Sequence, residues 1–353
     1  MGISLSHQRK PTDGLPPTRA CRSAVAASSA RGLFVVLVVA LVVALALALS
    51  GCDDGTDADG SGGDDNAAVG DSSSADAAAA AADASADDAA AGADASPPSY
   101  EPTKAYTGGD CPNLMAGENK LWSWEGNRKV LIYLPHEPKG APLLFLWHGL
   151  GDTPENFAAA FNAAGIANKY NTIVAVPGSN GKFPGWGFSS KTAALPDGAL
   201  FDDILTCLDD QYDVDNRRVY SMGFSAGGLW TTWLQMHRSK WLAAVLAFSG
   251  GTGEFMNVYE TPASYVPTLL TSGGVDDNVA GVAFAETSLD FATHLLADGQ
   301  YVIHCDHGLG HTVPWGADKW AVPFLFAHEW GVIPSPYLAN AKDAGFPDYC
   351  VIP

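Results

Sequence analysis

The pentapeptide Gly223–Gly227, which reads Gly-Phe-Ser-Ala-Gly, constrains the fold of this chain more than any other feature of its sequence. Residues 218–222 before it are mostly β-branched, aromatic or apolar and predict a buried strand, and residues 228–236 after it are apolar at helical spacing. A G-x-S-x-G pattern between a strand and a helix is typical of a nucleophile elbow, a tight turn that exposes a serine hydroxyl at a sheet edge. We therefore expect Ser225 to be a nucleophile. A small-residue turn in a non-catalytic α/β domain is the alternative.

Residues 1–52 are predicted to be an export signal rather than part of the fold. Basic residues precede an unbroken apolar run from Leu33 to Leu49, as in secretory signals. The run ends in Leu-Ser-Gly-Cys, which resembles a bacterial lipoprotein box whose cysteine, here Cys52, is acylated and becomes the new N-terminus. An uncleaved membrane anchor is the alternative, since the run is slightly shorter than a usual spanning helix. Either way, we expect an exported, membrane-anchored protein that faces the periplasm or the cell exterior.

Residues 53–98 are predicted to be a disordered tether, because they consist almost wholly of Ala, Asp, Gly and Ser. Such a composition cannot bury enough apolar surface to offset the entropy of ordering. The remaining segment, 99–353, is long enough for one domain with a full core. It carries 14 basic and 26 acidic residues, so it has no electrostatic reason to bind nucleic acid.

Four cysteines lie in the predicted domain, at Cys111, Cys207, Cys305 and Cys350. An even number in an exported domain suggests two disulfides, and three pairings remain open. A buried free thiol at Cys207 is the alternative. The cysteine spacings match no zinc pattern, and no phosphate-binding glycine motif follows the first strand, so we expect neither a metal nor a cofactor.

From residue 129 onward, apolar strand-like and amphipathic helix-like segments alternate, which predicts a mostly parallel sheet covered by helices on both faces. The predicted strands are 130–134, 143–147, 172–176, 218–222, 243–248, 268–271 and 301–304, and the predicted helices are 154–164, 202–211, 228–236, 282–296 and 318–328.

A serine nucleophile needs a base and a carboxylate that orients the base. In proteins with this elbow they follow the serine in the order acid, then histidine, each on a loop after a strand. Asp276 and Asp277 follow the strand at 268–271, and we expect Asp276 to be the acid, with Asp277 as its competitor. His311 follows the strand at 301–304 and is the expected base.

Two other histidines compete with His311. His304 lies within a predicted strand and is expected in the core, whereas His307 lies in the same loop as His311. Gly308 and Gly310 would let that loop return His311 over the sheet edge.

The oxyanion hole is expected to use two backbone N–H groups. Ala226 would supply one, because it directly follows the nucleophile. The His148-Gly149 pair after the strand at 143–147 would supply the other, through the N–H of Leu150 or that of Gly149.

Two tryptophans lie in loops at the predicted ligand-binding edge of the sheet. Trp186 belongs to the glycine-rich loop 181–188, and Trp315 follows His311 by four residues. Both are candidate substrate-binding residues that would line a pocket for an acyl or aryl group. Packing in the core is the alternative for each.

The chain resembles the polyhydroxybutyrate depolymerase-like and feruloyl esterase-like proteins of carbohydrate esterase family 1. The resemblance covers roughly residues 105–330 and is carried by the segments 128–135, 147–149, 212–220, 223–228 and 310–314. Ser272 stands where the family usually has a histidine before glycine. The resemblance implies an α/β-hydrolase fold with little or no lid, and a triad of Ser225, Asp276 and His311.

These features together predict an exported serine carboxylesterase that forms an acyl-enzyme. Its expected substrates are polyhydroxyalkanoate oligomers or feruloyl or acetyl esters of polysaccharide, and it is expected to be a monomer. A peptidase of the prolyl-oligopeptidase type is one alternative, although nothing resembles its propeller domain. A non-catalytic polymer-binding lipoprotein on a hydrolase fold is another.

Overall fold

A computed structural model describes residues 103–124, 126–254, 256–340 and 344–352. The predictions for the signal segment 1–52, for Cys52 and for the tether 53–98 lie outside the described residues. Within the described part of the chain, no helix is both long and apolar enough to cross a membrane.

A nine-stranded sheet forms the centre of the molecule. Along the chain the strands are β1 (Gly117–Ser123), β2 (Gly126–Tyr133), β3 (Leu143–Trp147), β4 (Ile173–Pro177), β5 (Val219–Phe224), β6 (Ala244–Phe248), β7 (Thr268–Ser272), β8 (Asn278–Val279), β9 (Val282–Ala283), β10 (Val302–Asp306) and β11 (Cys350–Val351). The spatial order in the sheet is β1-β2-β4-β3-β5-β6-β7-β10-β11, and β8 and β9 form a separate hairpin. Six neighbouring strands of the sheet are parallel, in the spatial order β4-β3-β5-β6-β7-β10. Strands β1, β2 and β11 add antiparallel edges.

Seven helices accompany the strands among the described residues: α1 (Pro154–Ala160), α2 (Ala163–Tyr170), α3 (Lys191–Tyr212), α4 (Ala226–Arg238), α5 (Phe284–Ala297), α6 (Ala317–Phe326) and α7 (Tyr337–Asn340). Strand β3 is buried on both faces. Its residues 143, 145 and 147 pack in the core that contains α3 and α4, and residues 144 and 146 pack in the core that contains α1, α2 and α6. The sheet is therefore covered on both faces, as predicted, and the α/β-hydrolase architecture is confirmed.

Two predicted helices differ from the structure by more than two residues at one end. The predicted helix 154–164 is divided at Asn162, whose left-handed backbone ends one helix while its side chain accepts from Gly165 N–H to begin the next. Helix α3 begins at Lys191, well before the predicted start, and continues through Pro196. Ser190 caps this longer helix by accepting from the N–H of Ala193.

Two disulfides tie distant parts of the described chain together. Cys111 is bonded to Cys207 on α3, and Cys305 on β10 is bonded to Cys350 on β11. The predicted pair of bridges is present, and the alternative of a free thiol at Cys207 was wrong. The second bridge fixes the strand that leads into the loop of His311.

Candidate active site

The serine loop has the geometry of a nucleophile elbow. Ser225 lies between β5 and α4 with φ 58° and ψ −121°, a conformation that L-residues rarely adopt. A Cβ added at Gly223 would lie 2.1 Å from the carbonyl oxygen of Gly227, and one added at Gly227 would lie 1.9 Å from that of Trp147. Only glycine fits at these two positions. The Ser225 N–H donates to Phe248 O at 2.9 Å, which ties the turn to the neighbouring strand.

A hydrogen-bonded chain connects the serine to a histidine and a carboxylate. His311 Nε2 lies 2.8 Å from Ser225 Oγ, and His311 Nδ1 lies 2.6 Å from Asp277 Oδ1. The imidazole is held between the rings of Phe224 and Phe284, at centroid distances of 4.8 and 4.7 Å. The base predicted from the sequence is thus brought onto the predicted nucleophile.

Asp277 is the carboxylate that contacts the histidine, so the prediction of Asp276 was wrong by one residue. A 3₁₀ turn, Gly274–Asp276, follows β7 and leaves Asp276 exposed to solvent. The N–H of Asp277 donates to Gly274 O at 3.0 Å and closes this turn, after which the Asp277 side chain returns to the sheet edge. The turn therefore displaces the inward-facing position by one residue.

Asp277 is 1% exposed and accepts three hydrogen bonds. Besides His311, Gly273 N–H donates to Oδ2 at 2.8 Å and Ser249 Oγ donates to it at 2.9 Å. Burial alone would raise the pKa of Asp277, but these hydrogen bonds outweigh it and hold the pKa below its usual value. The carboxylate consequently stays ionised. Ser249 was missed in the sequence, although its position directly after β6 could have indicated it.

The competing histidines lie elsewhere. His304, on β10, has its Nε2 3.3 Å from Ser272 Oγ, and burial lowers its pKa. His307 accepts from the N–H of Leu309 through Nδ1, and burial lowers its pKa too. Neither histidine contacts the serine, which agrees with the preference for His311.

Both segments proposed for the oxyanion hole adjoin the serine. Ala226 is the first residue of α4, where backbone N–H groups have no partner within the helix. A Cβ added at Gly149 would lie 3.5 Å from Ser225 Cβ, so the His148–Leu150 segment passes directly beside the nucleophile.

The two candidate tryptophans differ completely in environment. Trp186 is 1% exposed, and its indole N–H donates to His148 O at 2.8 Å. It packs edge-on against Trp147 at a ring centroid distance of 5.0 Å, and its ring is enclosed by the core. The prediction that Trp186 forms a substrate-binding wall was therefore wrong. Trp315 is 93% exposed and stands at the rim of the cleft beside His311.

An open cleft of about 740 Å³ begins at His311. Most of its lining is apolar and includes Phe157, Phe161, Ile166, Phe224, Val313, Pro314 and Trp315, together with the charged residues Asp152, Lys169 and Asp318. The cleft has room for a group larger than acetyl. Among the described residues, no group of three His, Cys, Asp or Glu side chains could hold a metal ion.

The known proteins to which this chain is similar include esterases. No family model matches the chain. It is 28% identical to Feruloyl esterase D of Neurospora crassa over 182 residues, 47% of this chain and 61% of that protein. It is 26% identical to Feruloyl esterase B of the same organism over 146 residues, 39% of this chain and 50% of that protein. The matches thus span half to three-fifths of the relatives' length.

Among solved structures, the chain is similar to the native form of a protein called pOPH, with a TM-score of 0.57 and 17% identity over 69% of this chain and 97% of that one. A protein called sOPH gives a TM-score of 0.56, 16% identity, and 69% and 96% coverage. These structures confirm the fold. The relatives confirm the resemblance to esterases that the sequence indicated.

Proposed function

We propose that this protein is a serine carboxylesterase with Ser225, His311 and Asp277 as its catalytic triad. The observation that carries the proposal is the unbroken hydrogen-bonded chain from Ser225 Oγ through the imidazole of His311 to the buried carboxylate of Asp277. A serine hydroxyl alone is a weak nucleophile, and this arrangement supplies its base. The connected triad argues against a non-catalytic binding role.

The reaction follows from the atoms in contact. His311 Nε2 takes the proton of Ser225 Oγ as the oxygen attacks the ester carbonyl, and Asp277 holds the Nδ1–H tautomer and stabilises the imidazolium. The N–H group of Ala226, together with that of Leu150 or Gly149, would bind the negative oxygen of the tetrahedral intermediate. His311 then protonates the leaving alcohol, and a water activated by the same histidine hydrolyses the acyl-enzyme.

The substrate proposed is an ester with a short or aromatic acyl group, including feruloyl or acetyl esters of polysaccharide and polyhydroxyalkanoate oligomers. The described residues between β6 and β7 contain only an isolated bridge, Gly253 to Met256, and no helix that would cover the site. A long acyl chain gains about 0.8 kcal/mol per methylene only where it is removed from water. An uncovered site offers less of that gain, and two of the similar proteins are named feruloyl esterases.

The rim of the site supports an extended or polymeric substrate. Exposed apolar side chains occur on the loops that follow β3, β4, β7 and β10, at Leu150, Phe183, Val275, Leu309 and Trp315. These loops all leave the carboxyl ends of parallel strands, the edge at which Ser225 lies. An apolar rim around an open site suits a chain that continues beyond the ester bond.

The test compares wild-type protein with Ser225→Ala on p-nitrophenyl esters from C2 to C16, methyl ferulate and a 3-hydroxybutyrate oligomer. We expect the substitution to lower kcat by at least about 10⁴-fold, leaving only the residual effect of binding and the oxyanion hole. We expect kcat/KM of the wild type to fall towards C16. Retention of a tenth of the activity by Ser225→Ala would refute the nucleophile, and a steady rise to C16 would refute the substrate class.

Export, lipid attachment at Cys52 and a monomeric state are part of the same proposal. The signal-like segment supports export, and the two disulfides of the described domain suit an oxidising compartment. Incorporation of a labelled fatty acid into the wild type but not into Cys52→Ser would support the anchor, and equal labelling would refute it.

A further inference from the structure

We propose that Trp186 and His148 are positioning residues that orient the two peptide groups of the oxyanion segment, His148–Leu150, and that a buried ion pair fixes the loop carrying Trp186. This inference rests on the proposed function, because it assigns a task to groups behind the nucleophile. The loop concerned is 178–187, which passes behind the oxyanion segment on the side of its carbonyl groups.

The first peptide group is held by Trp186. Its indole N–H donates to His148 O at 2.8 Å, and the His148 and Trp186 rings lie 5.1 Å apart. In a trans peptide the N–H points away from the carbonyl of the same group. The N–H that belongs to this carbonyl is that of Gly149, so the indole fixes the direction of one candidate oxyanion donor.

The second peptide group is held by the His148 side chain. His148 Nδ1 lies 2.8 Å from Gly149 O, which also accepts from Asp152 N–H at 3.2 Å. The N–H of this peptide group belongs to Leu150, the other candidate donor. Both candidate N–H groups of this segment thus have the carbonyls of their peptide groups fixed by hydrogen bonds.

The contacts of His148 define its tautomer. A carbonyl oxygen can only accept, so Nδ1 carries the proton, and Nε2 accepts from the N–H of Ser179 at 3.3 Å. His148 is 2% exposed, and burial lowers its pKa. The neutral imidazole that these contacts require is therefore the favoured form, and it links the oxyanion segment to the start of the 178–187 loop.

One ion pair fastens both ends of that loop. Arg128 donates to Gly178 O at 3.0 Å and to Asp197 Oδ1 at 2.7 Å, while Asp197 Oδ2 accepts from Gly187 N–H at 2.8 Å. The residues of the pair are 8% and 1% exposed, respectively. A buried ion pair is a weak source of net stability, since desolvation offsets its attraction. Its placement at both loop ends instead sets the position of Trp186.

The test is the full-length Trp186→Phe variant, which keeps an aromatic ring and removes the N–H. The matched control is Trp241→Phe, because Trp241 is also buried but its indole nitrogen has no hydrogen-bond partner among the described residues. We expect Trp186→Phe to lower kcat by about 10-fold with KM nearly unchanged, less than the 10²–10³ typical for outright loss of an oxyanion donor. Trp241→Phe should leave both constants within twofold.

A boronic acid inhibitor separates positioning from general structural damage. Its tetrahedral adduct with Ser225 places an oxygen in the oxyanion hole, so its Ki should rise in parallel with the fall in kcat for Trp186→Phe. The Ki of the carboxylate product, a ground-state ligand, should stay unchanged. A variant with benzothienylalanine at position 186, which has the shape of tryptophan without the N–H, gives the same test if Trp186→Phe does not fold.

An unchanged kcat and boronate Ki in Trp186→Phe, or in the benzothienylalanine variant, would overturn the inference. Equal losses in the Trp241→Phe control would overturn it as well. A loss confined to KM would overturn it too. Failure of the proposed function is recognised separately, because it would appear as retained activity in Ser225→Ala.

Discussion

The interior beneath Ser225 and the rim of loops around it each contain an aspartate and a tryptophan, which are buried in the interior and exposed on the rim. Asp277 and Trp186 lie in the interior, each 1% exposed, and the polar side-chain atoms of both form hydrogen bonds. Asp276 and Trp315 lie on the rim, the tryptophan 93% exposed. Under the proposed function, the interior members orient reacting groups, whereas the rim members can act only on what arrives from solvent.

The largest expected difference is between the two neighbouring aspartates. Asp277→Asn should lower kcat by about 10⁴-fold, because an amide favours the wrong tautomer of His311. Asp276→Asn should change kcat by less than threefold, since its carboxylate is exposed and His311 bonds to its neighbour. Steady-state kinetics on p-nitrophenyl acetate measures kcat for both variants.

Equal losses in the two variants would break the distinction between interior and rim. Circular dichroism and the unfolding midpoint of Asp277→Asn serve as its control, because the same carboxylate also accepts from Gly273 N–H and Ser249.

A buried histidine remote from the nucleophile should affect stability alone. His328 is 2% exposed; its Nδ1 donates to Phe324 O at 2.8 Å and its Nε2 accepts from Ser335 Oγ at 2.7 Å. Burial lowers the pKa of His328 to about 4, whereas an unfolded histidine titrates near pH 6.5. The native state favours the neutral form, so His328 makes its full contribution to the free energy of unfolding above pH 6.5. That contribution is lost as the pH falls towards 4.

Over that interval, His328 should remove about 3 kcal/mol from the free energy of unfolding. Urea unfolding of the wild type and of His328→Gln between pH 7 and pH 4 measures it, and the variant should show the shallower acid loss. Parallel pH profiles would show that the imidazole is not the group responsible.

The smallest effect is expected at the rim. Trp315→Ala should raise KM by about 5- to 10-fold for methyl ferulate, since aromatic contact contributes about 1 kcal/mol, and should leave kcat nearly constant. Hydrolysis of p-nitrophenyl acetate should hardly change, because its acetyl group is too short to reach the rim. A fall in kcat with both esters would place Trp315 with the interior group and contradict the comparison.

Most of the fold could be predicted because strand and helix periodicities alternate clearly along the chain. The elbow and His311 could be predicted as well, since a tight glycine turn and an ordered set of loops leave few candidates. The first strand, Gly117–Ser123, was missed, because it forms an exposed edge with few buried residues. Whether Asp276 or Asp277 faces inward depends on how many residues the turn after β7 uses, and local sequence does not encode this.

The burial of Trp186 could not be predicted from local sequence for a different reason. Its burial depends on contacts with Trp147 and His148, which are distant in the chain. The sequence of a glycine-rich loop at the ligand-binding edge of a sheet is compatible with two positions. The loop can line the substrate pocket, or it can pack behind the oxyanion segment. Only the packing of that loop against β3 distinguishes the two.

The acid loop and the base loop touch through glycine backbone. Gly310 N–H donates to Gly273 O at 2.8 Å, and a Cβ added at Gly273 would lie 1.9 Å from Gly310 O. A library that randomises one loop while the other is kept constant will therefore contain mostly inactive members. Exchange of substrate preference with a relative should succeed only when residues 273–277 and 307–311 are transplanted together, as one cassette.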